Sequence, residues 1–385
     1  VAPQTLQPVP MLDFARQYAS IRNEVLSAIE EVCDSQKFIL GPAVDSFEKA
    51  AARACQVPHA IGCGSGTDAL WLSLAAAGVG AGDTVITTPF SFFASVSSIV
   101  HCGGRAILAD IDPRTFNLSA DAVEEAIRSL PDTKIKAVLP VHLYGQCADW
   151  DAFRHLQQRY GLILIEDAAQ AFGAAWNGQP AGSLGDLAAF SFYPTKNLSA
   201  FGEAGLVTTG SEQLAERIRM LRSHGMRRRY YHDEIGWNSR LDSLQAAVLE
   251  VKLRHLPRWN EQRRQIANHY DELFIRAGLA GLTTQEGIVL PYTDLRATHV
   301  FHQYVIRVPR RDALRQYLTE RQIGSEIYYP LPLHLQTSLT QLGYRAGDFP
   351  ISEKAAEEVL ALPMFSELRP DEQETVVAAI RAFYA

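Results

Sequence analysis

Between residues 60 and 209 the chain alternates two apolar patterns. Short continuous apolar runs, of the kind a strand shows when both faces are buried, occur at Ala60 to Gly62, Thr84 to Thr87, Ala106 to Leu108, Ala137 to Leu139, Leu162 to Ile165, Leu187 to Tyr193 and Leu206 to Thr209. Helical spacing fills the intervals. Upstream, Ile21, Val25, Ile29 and Val32 predict an amphipathic helix within residues 11–35, Gly41-Pro42 ends it, and Val44 to Cys55 resumes. Seven strands with helices between them predict an α/β fold with a mainly parallel, doubly wound sheet. The turn between the last two strands is too short for a crossover, so that pair is antiparallel. Beyond it, Leu244 to His255 is strongly helical, and Pro257-Arg258-Trp259-Asn260 predicts a break before another helix to Leu273. Residues 281–297 read as a connection, and Phe301 to Val308 alternates as a strand of an α+β unit. We expect a large domain over residues 1–250 and a smaller α+β domain over 251–385, the first ~20 residues lying within reach of the smaller one.

Composition narrows the class. The 385 residues are 47% hydrophobic and 21% charged, ordinary for a soluble enzyme, and a net charge of -7 leaves no general electrostatic footprint for nucleic acid. No apolar run approaches a membrane span, and the first residues show no basic-then-apolar signal pattern. Cys33, Cys55, Cys63, Cys102 and Cys147 form no C-x-x-C pair and read as reduced thiols, so the expected location is the cytoplasm, with no metal site.

Three stretches carry candidate chemistry. Lys196 lies in the turn after the sixth strand, within Phe190-Ser191-Phe192-Tyr193-Pro194-Thr195-Lys196-Asn197-Leu198, and Gly202-Glu203-Ala204-Gly205 follows. A lysine there either snorkels to solvent or is kept because its amine reacts with a carbonyl, as in a Schiff base to pyridoxal phosphate. The fifth strand ends in Glu166-Asp167-Ala168-Ala169-Gln170, where open α/β sheets bind their ligands. Asp167 either caps the next helix or supplies the carboxylate that keeps a pyridine nitrogen protonated, with Gln170 near the ring's phenolic oxygen. Gly62-Cys63-Gly64-Ser65-Gly66-Thr67-Asp68 runs into a helix and offers free backbone amides to an anion such as a phosphate. It is not a dinucleotide fingerprint, because the third glycine of G-x-G-x-x-G falls on Thr67.

Gly66 to Leu70, Pro140-Val141-His142-Leu143-Tyr144-Gly145-Gln146, Glu166 to Gln170, Phe190 to Leu198 and Asn238-Ser239-Arg240-Leu241-Asp242 form an ordered series. That series resembles the DegT/DnrJ/EryC1/StrS family of sugar aminotransferases, a branch of the fold-type I (aspartate aminotransferase-like) enzymes, over essentially the whole chain. The resemblance implies pyridoxal 5'-phosphate as cofactor, alternating with pyridoxamine 5'-phosphate in a ping-pong transfer. It makes Lys196 the Schiff-base and proton-transfer residue and Asp167 the partner of the ring nitrogen. Gly66, Thr67, Phe92, Gln170 and Ser191 become cofactor contacts, Phe92 by stacking, although core packing explains any single Phe as well. It also implies a homodimer with composite sites, in which Asn238 reaches the phosphate in the neighbouring subunit and Arg240 the nucleotide-sugar.

Arg222 to Tyr231 is the one basic, aromatic run, readable as a solvated loop or as a contact for a diphosphate. Tyr328-Tyr329-Pro330-Leu331-Pro332-Leu333-His334-Leu335-Gln336 resembles the family's H-Y-P-x-P-x-H-x-Q segment, with Tyr328 where many relatives have histidine. Tyr328, Tyr329 and His334 are thereby the expected substrate contacts. The form of this segment resembles enzymes that aminate a 3-keto sugar. The implied reaction moves an amino group from an amino acid, L-glutamate in relatives, to a nucleotide-linked 3-keto hexose, giving a 3-amino-3-deoxy sugar. The alternatives are a 4-keto nucleotide-sugar or cyclitol acceptor, or a non-catalytic regulator of the same fold.

Overall fold

The computed structural model describes residues 8–385. Seven strands build the central sheet: β1 (His59–Cys63), β2 (Thr84–Thr87), β3 (Arg105–Leu108), β4 (Ile135–Val138), β5 (Ile163–Asp167), β6 (Leu187–Ser191) and β7 (Gly205–Thr209). Their spatial order is β1-β7-β6-β5-β4-β2-β3. Only β7 runs antiparallel, pairing with β6 on one side and β1 on the other, as the short Lys196 turn requires. Alternate residues of one strand enter separate cores: Val85, Ile165 and Val207 pack on one face, Ile86, Leu164 and Leu206 on the other. Both faces are therefore covered, which is why these strands read as continuous apolar runs.

Helices α1 (Phe14–Ser35) and α2 (Pro42–Ala54) precede the sheet, and α3 (Gly66–Ala76), α4 (Ala94–His101), α5 (Ala120–Ser129), α6 (Trp150–Tyr160) and α7 (Glu212–Leu221) cover it. Helix α8 spans Ser243–Arg276, and here the sequence reading is corrected. No break occurs at residues 257–260; Pro257 lies inside one 34-residue helix. Proline removes one backbone donor and crowds the carbonyl four residues earlier. Pro257 is exposed, while Leu256, Trp259 and Asn260 beside it are buried. Packing of the buried stripe outweighs the local defect.

The C-terminal part pairs β8 (Tyr304–Arg307) antiparallel with β9 (Val359–Leu362), flanked by α9 (Arg311–Glu320), α10 (Pro350–Glu358) and α11 (Pro370–Tyr384). The N-terminal approach to α1 lies on this part: Val9 exchanges backbone bonds with Gln322 (3.0 Å) and Gly324 (2.8 Å), and Arg16 pairs with Glu372. Residues 1–7 of that segment lie outside the described residues. Among the described residues no helix is long and apolar enough to cross a membrane.

Candidate active site

The C-terminal ends of β5 and β6 and the first turn of α3 open onto a cavity of 750 Å³. Its far wall comes from residues 326–329, Met364 and the N-terminal Met11 and Leu12. Lys196, Asp167, Gly66, Thr67, Phe92, Gln170, Ser191, Tyr328 and Tyr329 all line it, although they come from positions spread over more than half of the chain.

The turn bearing Lys196 is clamped. The Lys196 amide donates to Tyr193 O (2.8 Å), the Phe192 amide to Ala204 O (2.8 Å), and the Ala200 amide to Phe192 O (2.8 Å). Asn197 is buried and donates to Asn260 Oδ1 (2.9 Å) and Val300 O (3.0 Å), which ties the turn to α8. The amine is thus delivered to the cavity by a backbone with little freedom. Burial disfavours its ammonium form and pushes it down to about 8, against the pull of Asp167. A lysine of this kind is available as a neutral nucleophile and base near physiological pH.

Asp167 ends β5, its backbone held by the Pro140 carbonyl (2.9 Å) and the His142 amide (3.0 Å). Its carboxylate accepts from Ser95 Oγ (2.7 Å) and the Ala169 amide (3.3 Å). Burial raises it above the ordinary carboxylate value, while these donors and the Lys196 charge act in the opposite direction. Its neighbour Glu166 points to the other face of the strand, as side-chain alternation demands. There it accepts from the amides of Gly182, Leu184 and Gly185 (2.8 Å each). His142 completes that set. Its Nδ1 accepts from the Ala148 amide (3.1 Å), so the ring proton is on Nε2, which donates to Glu166 Oε2 (3.0 Å). This buried, fully partnered carboxylate anchors the strand that presents Asp167.

At the other end, Ser65 caps α3 by accepting the Asp68 amide on its hydroxyl (3.1 Å) and the Ala69 amide on its carbonyl (2.9 Å). The amides of Gly66 and Thr67 precede any intrahelical acceptor and lie at the cavity. Gly66 must be glycine: a Cβ there would stand 2.5 Å from Ser191 Cβ and 2.9 Å from Ser191 Oγ. The contact brings the helix N-terminus and the Ser191 hydroxyl together, a cradle suited to a phosphate.

Phe92 is 59% exposed, unusual for phenylalanine, and its ring faces the cavity beside Tyr329 at a centroid distance of 6.4 Å. Gln170 receives the Tyr144 amide on Oε1 (2.6 Å) and donates from Nε2 to Tyr329 Oη (3.1 Å). Tyr144 Oη donates to Tyr328 O, joining the loop after β4 to the far wall. The residues present fit pyridoxal phosphate: an amine with lowered pKa, a buried carboxylate, an anion cradle and an aromatic face left bare.

Three expected residues lie elsewhere. Asn238 and Arg240 do not line this cavity; Arg240 Nη2 donates to Asn238 Oδ1 (2.5 Å) in a partly exposed loop. His334 is buried against Phe349, with Nε2 bonded to Glu353 Oε1 (3.0 Å), and is likewise absent from the lining. Conversely, Glu203, His302, Gln303 and Glu326 line the cavity, and Ser95 stands behind it, without having been singled out from sequence. Buried His302 faces Asn197 Oδ1 (3.2 Å) and is held well below the usual histidine value by desolvation and Lys196, so it is neutral there.

Known proteins resemble this chain over nearly its whole length. The chain is 48% identical to a "Pleiotropic regulatory protein" of Geobacillus stearothermophilus, over 98% of each chain. It is 40% identical to a UDP-N-acetyl-3-dehydro-alpha-D-glucosamine 3-aminotransferase of Acidithiobacillus ferrooxidans, over 97% of each. The solved structure of DesV from S. venezuelae in complex with a ketimine intermediate superposes with a TM-score of 0.92 at 41% identity, covering 98% of each chain. The family model for DegT/DnrJ/EryC1/StrS aminotransferases matches residues 19–381, and the chain belongs to that family.

Proposed function

We propose that the protein transfers an amino group from an amino acid, L-glutamate, to the 3-keto group of a nucleotide-linked hexose, giving a 3-amino-3-deoxy sugar. The observation that carries the reading is the single cavity joining the Lys196 amine, the Asp167 carboxylate and the Gly66–Ser191 cradle. The cofactor is pyridoxal 5'-phosphate, which when bound supplies the carbonyl that accepts the donor's amine and a ring that draws electrons from the reacting carbon. Lys196 and Asp167 are the catalytic pair. With the cofactor bound, Lys196 would hold its carbonyl carbon and carry the proton to and from the substrate carbon, and Asp167 would hold a proton at the ring nitrogen. Gly66, Thr67 and Ser191 bind the phosphate, Phe92 covers one ring face, and Gln170 reaches the phenolic oxygen.

The same reading makes the protein a homodimer in which Asn238 and Arg240 complete the partner's cavity. Their position outside this chain's cavity, in a partly exposed loop, supports it. So does the hairpin beside them, where Arg228 stacks on Tyr231 (4.6 Å) and Arg229 on Tyr230 (4.9 Å) in the open, a surface suited to a diphosphate. The division at residue 250 and a cytoplasmic location belong to the same reading, the latter supported by five free cysteines. The Acidithiobacillus relative's name specifies a 3-dehydro sugar, which supports C3 as the site of amination. The Geobacillus relative's name specifies regulation, yet a chain drifting toward pure regulation has no reason to keep Lys196, Asp167 and Ser191 together.

Regiochemistry follows from the far wall. Residues 328–336 are stiffened by Pro330 and Pro332 and anchored by the Leu333 amide on Pro89 O (2.7 Å), while Tyr328 and Tyr329 face the cavity. A hexose turned to present another carbon would leave its hydroxyls and the wall's polar groups unpaired, at about 1–3 kcal/mol each. Matched 3-keto and 4-keto nucleotide hexoses, assayed with glutamate and the product's amino position read by NMR, test this. Faster amination at C4 overturns the regiochemistry, and no amination of either by cofactor-loaded protein overturns the function.

A further inference from the structure

We propose that Ser95 is a positioning residue for Asp167, and that Ser91 and Ser95 form a directed hydroxyl relay that keeps the Asp167 carboxylate ionised and aimed. Proton counting gives the direction. A serine hydroxyl carries one hydrogen. Asp167 Oδ2 lies 2.7 Å from Ser95 Oγ, and an ionised carboxylate only accepts, so the Ser95 hydrogen goes to Asp167. Ser95 Oγ is also 2.9 Å from Ser91 Oγ. With the Ser95 hydrogen committed, the hydrogen in that second bond belongs to Ser91. Both serines are buried, Ser91 3% and Ser95 1% exposed, so water does not compete for the bonds. A donated bond from Ser91 polarises the Ser95 hydroxyl and strengthens its bond to the carboxylate.

The arrangement also distinguishes the two carboxylate oxygens. Oδ2 is taken by the strong, charge-assisted bond, whereas Oδ1 holds only the Ala169 amide at 3.3 Å. Oδ1 is the oxygen left to meet a ring N–H, so the relay fixes the rotation of Asp167 about its side-chain axis. Titratable groups facing Asp167 come from three other directions: Lys196 from the turn after β6, His142 from the loop after β4, and Tyr329 from the far wall. The Lys196 charge favours the carboxylate electrostatically, whereas His142, with Nδ1 accepting, brings no net charge. Neither donates a hydrogen bond to it, since His142 gives its ring proton to Glu166. Burial works against ionisation, and among the described residues the side-chain hydroxyl bonded to the carboxylate is that of Ser95.

This inference rests on the proposed use of Asp167 against the cofactor ring, but its test does not need the cofactor. The full-length chain labelled with 13C at aspartate carboxyls is titrated by NMR, with the Asp167 signal assigned by its loss in Asp167→Asn. Ser95→Ala is expected to raise the Asp167 midpoint by about 1–2 pH units, the scale of one hydrogen bond to a charged group. Ser95→Thr, which keeps the hydroxyl, restores the wild-type value, and Ser91→Ala gives a smaller rise of the same sign. In cofactor-loaded protein, Ser95→Ala shifts the pH midpoint of the visible band, and kcat falls more than KM rises. An unchanged Asp167 midpoint in Ser95→Ala, or an equal shift in Ser95→Thr, overturns the relay while leaving the aminotransferase reading intact. If Ser95→Ala does not fold, the Ser91→Ala and Ser95→Thr midpoints decide: Ser91→Ala raised with Ser95→Thr unchanged supports the relay, and any other pair of values overturns it.

Discussion

At the scale of single residues, the proposed chemistry concentrates on Lys196, whose backbone the turn restricts and whose charge burial weakens. Lys196→Ala is expected to fold, since the clamps on that turn are backbone bonds and Asn197, none of which needs the lysine side chain. It loses the absorbance of lysine-bound cofactor, and transamination falls by at least about 10³-fold. Turnover within tenfold of wild type would remove Lys196 from the mechanism. The lowered pKa makes a separate prediction. Only the neutral amine attacks a carbonyl, so capture of pyridoxal phosphate by cofactor-free protein should accelerate as pH rises through about 8 and level off above it. Stopped-flow absorbance from pH 6.5 to 9.5 checks the sign, and a rate that is flat or falling contradicts it. Lys196 and Asp167 were legible from sequence because each ends or follows an apolar strand, where a charged residue is conspicuous. Ser95 was not, since its partner is 72 positions away and a serine beside a helix start has many commoner uses.

Elements explain what else could and could not be read. The strands were visible because burial on both faces leaves no polar phase, and the antiparallel pairing of β6 and β7 followed from loop length alone. Pro257 misled because local helix propensity is a weak force beside the burial of Leu256, Trp259 and Asn260 on the same helix. His334 belongs to a recognisable motif, yet the motif's spacing cannot say that its ring turns toward Glu353 instead of the cavity. Packing between α3 and its neighbouring strands yields the prediction at this scale. A Cβ on Gly205, at the start of β7, would drive into the Ser65 carbonyl that accepts the first helical bond of α3, and would stand 3.0 Å from Cys63 Sγ. Gly205→Ala should therefore cost about 1–3 kcal/mol of stability through overpacking. Because the displaced residue caps the helix whose amides form the anion cradle, pyridoxal phosphate should also bind more weakly. Denaturant midpoints and cofactor titration read the two effects, and loss of stability with unaltered affinity would show that the cradle does not depend on this contact.

For the whole molecule, the cavity holds the proposed catalytic groups but not all of the expected binding groups. Among the described residues, Lys196 is the only lysine or arginine in its lining, against Asp167, Glu203 and Glu326. A substrate bearing a diphosphate, and a donor bearing carboxylates, both need cations that this chain's own wall does not supply. The proposed dimer answers that need by bringing the cation Arg240, with the neutral amide of Asn238 beside it, from a second copy. It makes a prediction that no single-chain site can satisfy. Lys196→Ala and Asn238→Ala protein are each expected to show little turnover, the second through weak cofactor retention. In a hybrid dimer, one cavity combines Lys196→Ala with the partner's Asn238→Ala lesion, while the other pairs an intact Lys196 with an intact Asn238. Random exchange of equal amounts leaves half the dimers hybrid with one good site each, so activity should rise toward about a quarter of wild type. Exchange is followed independently by native mass spectrometry with one variant isotope-labelled. Activity that stays at the sum of the two parents after complete exchange would place Asn238 in the service of its own chain's cavity.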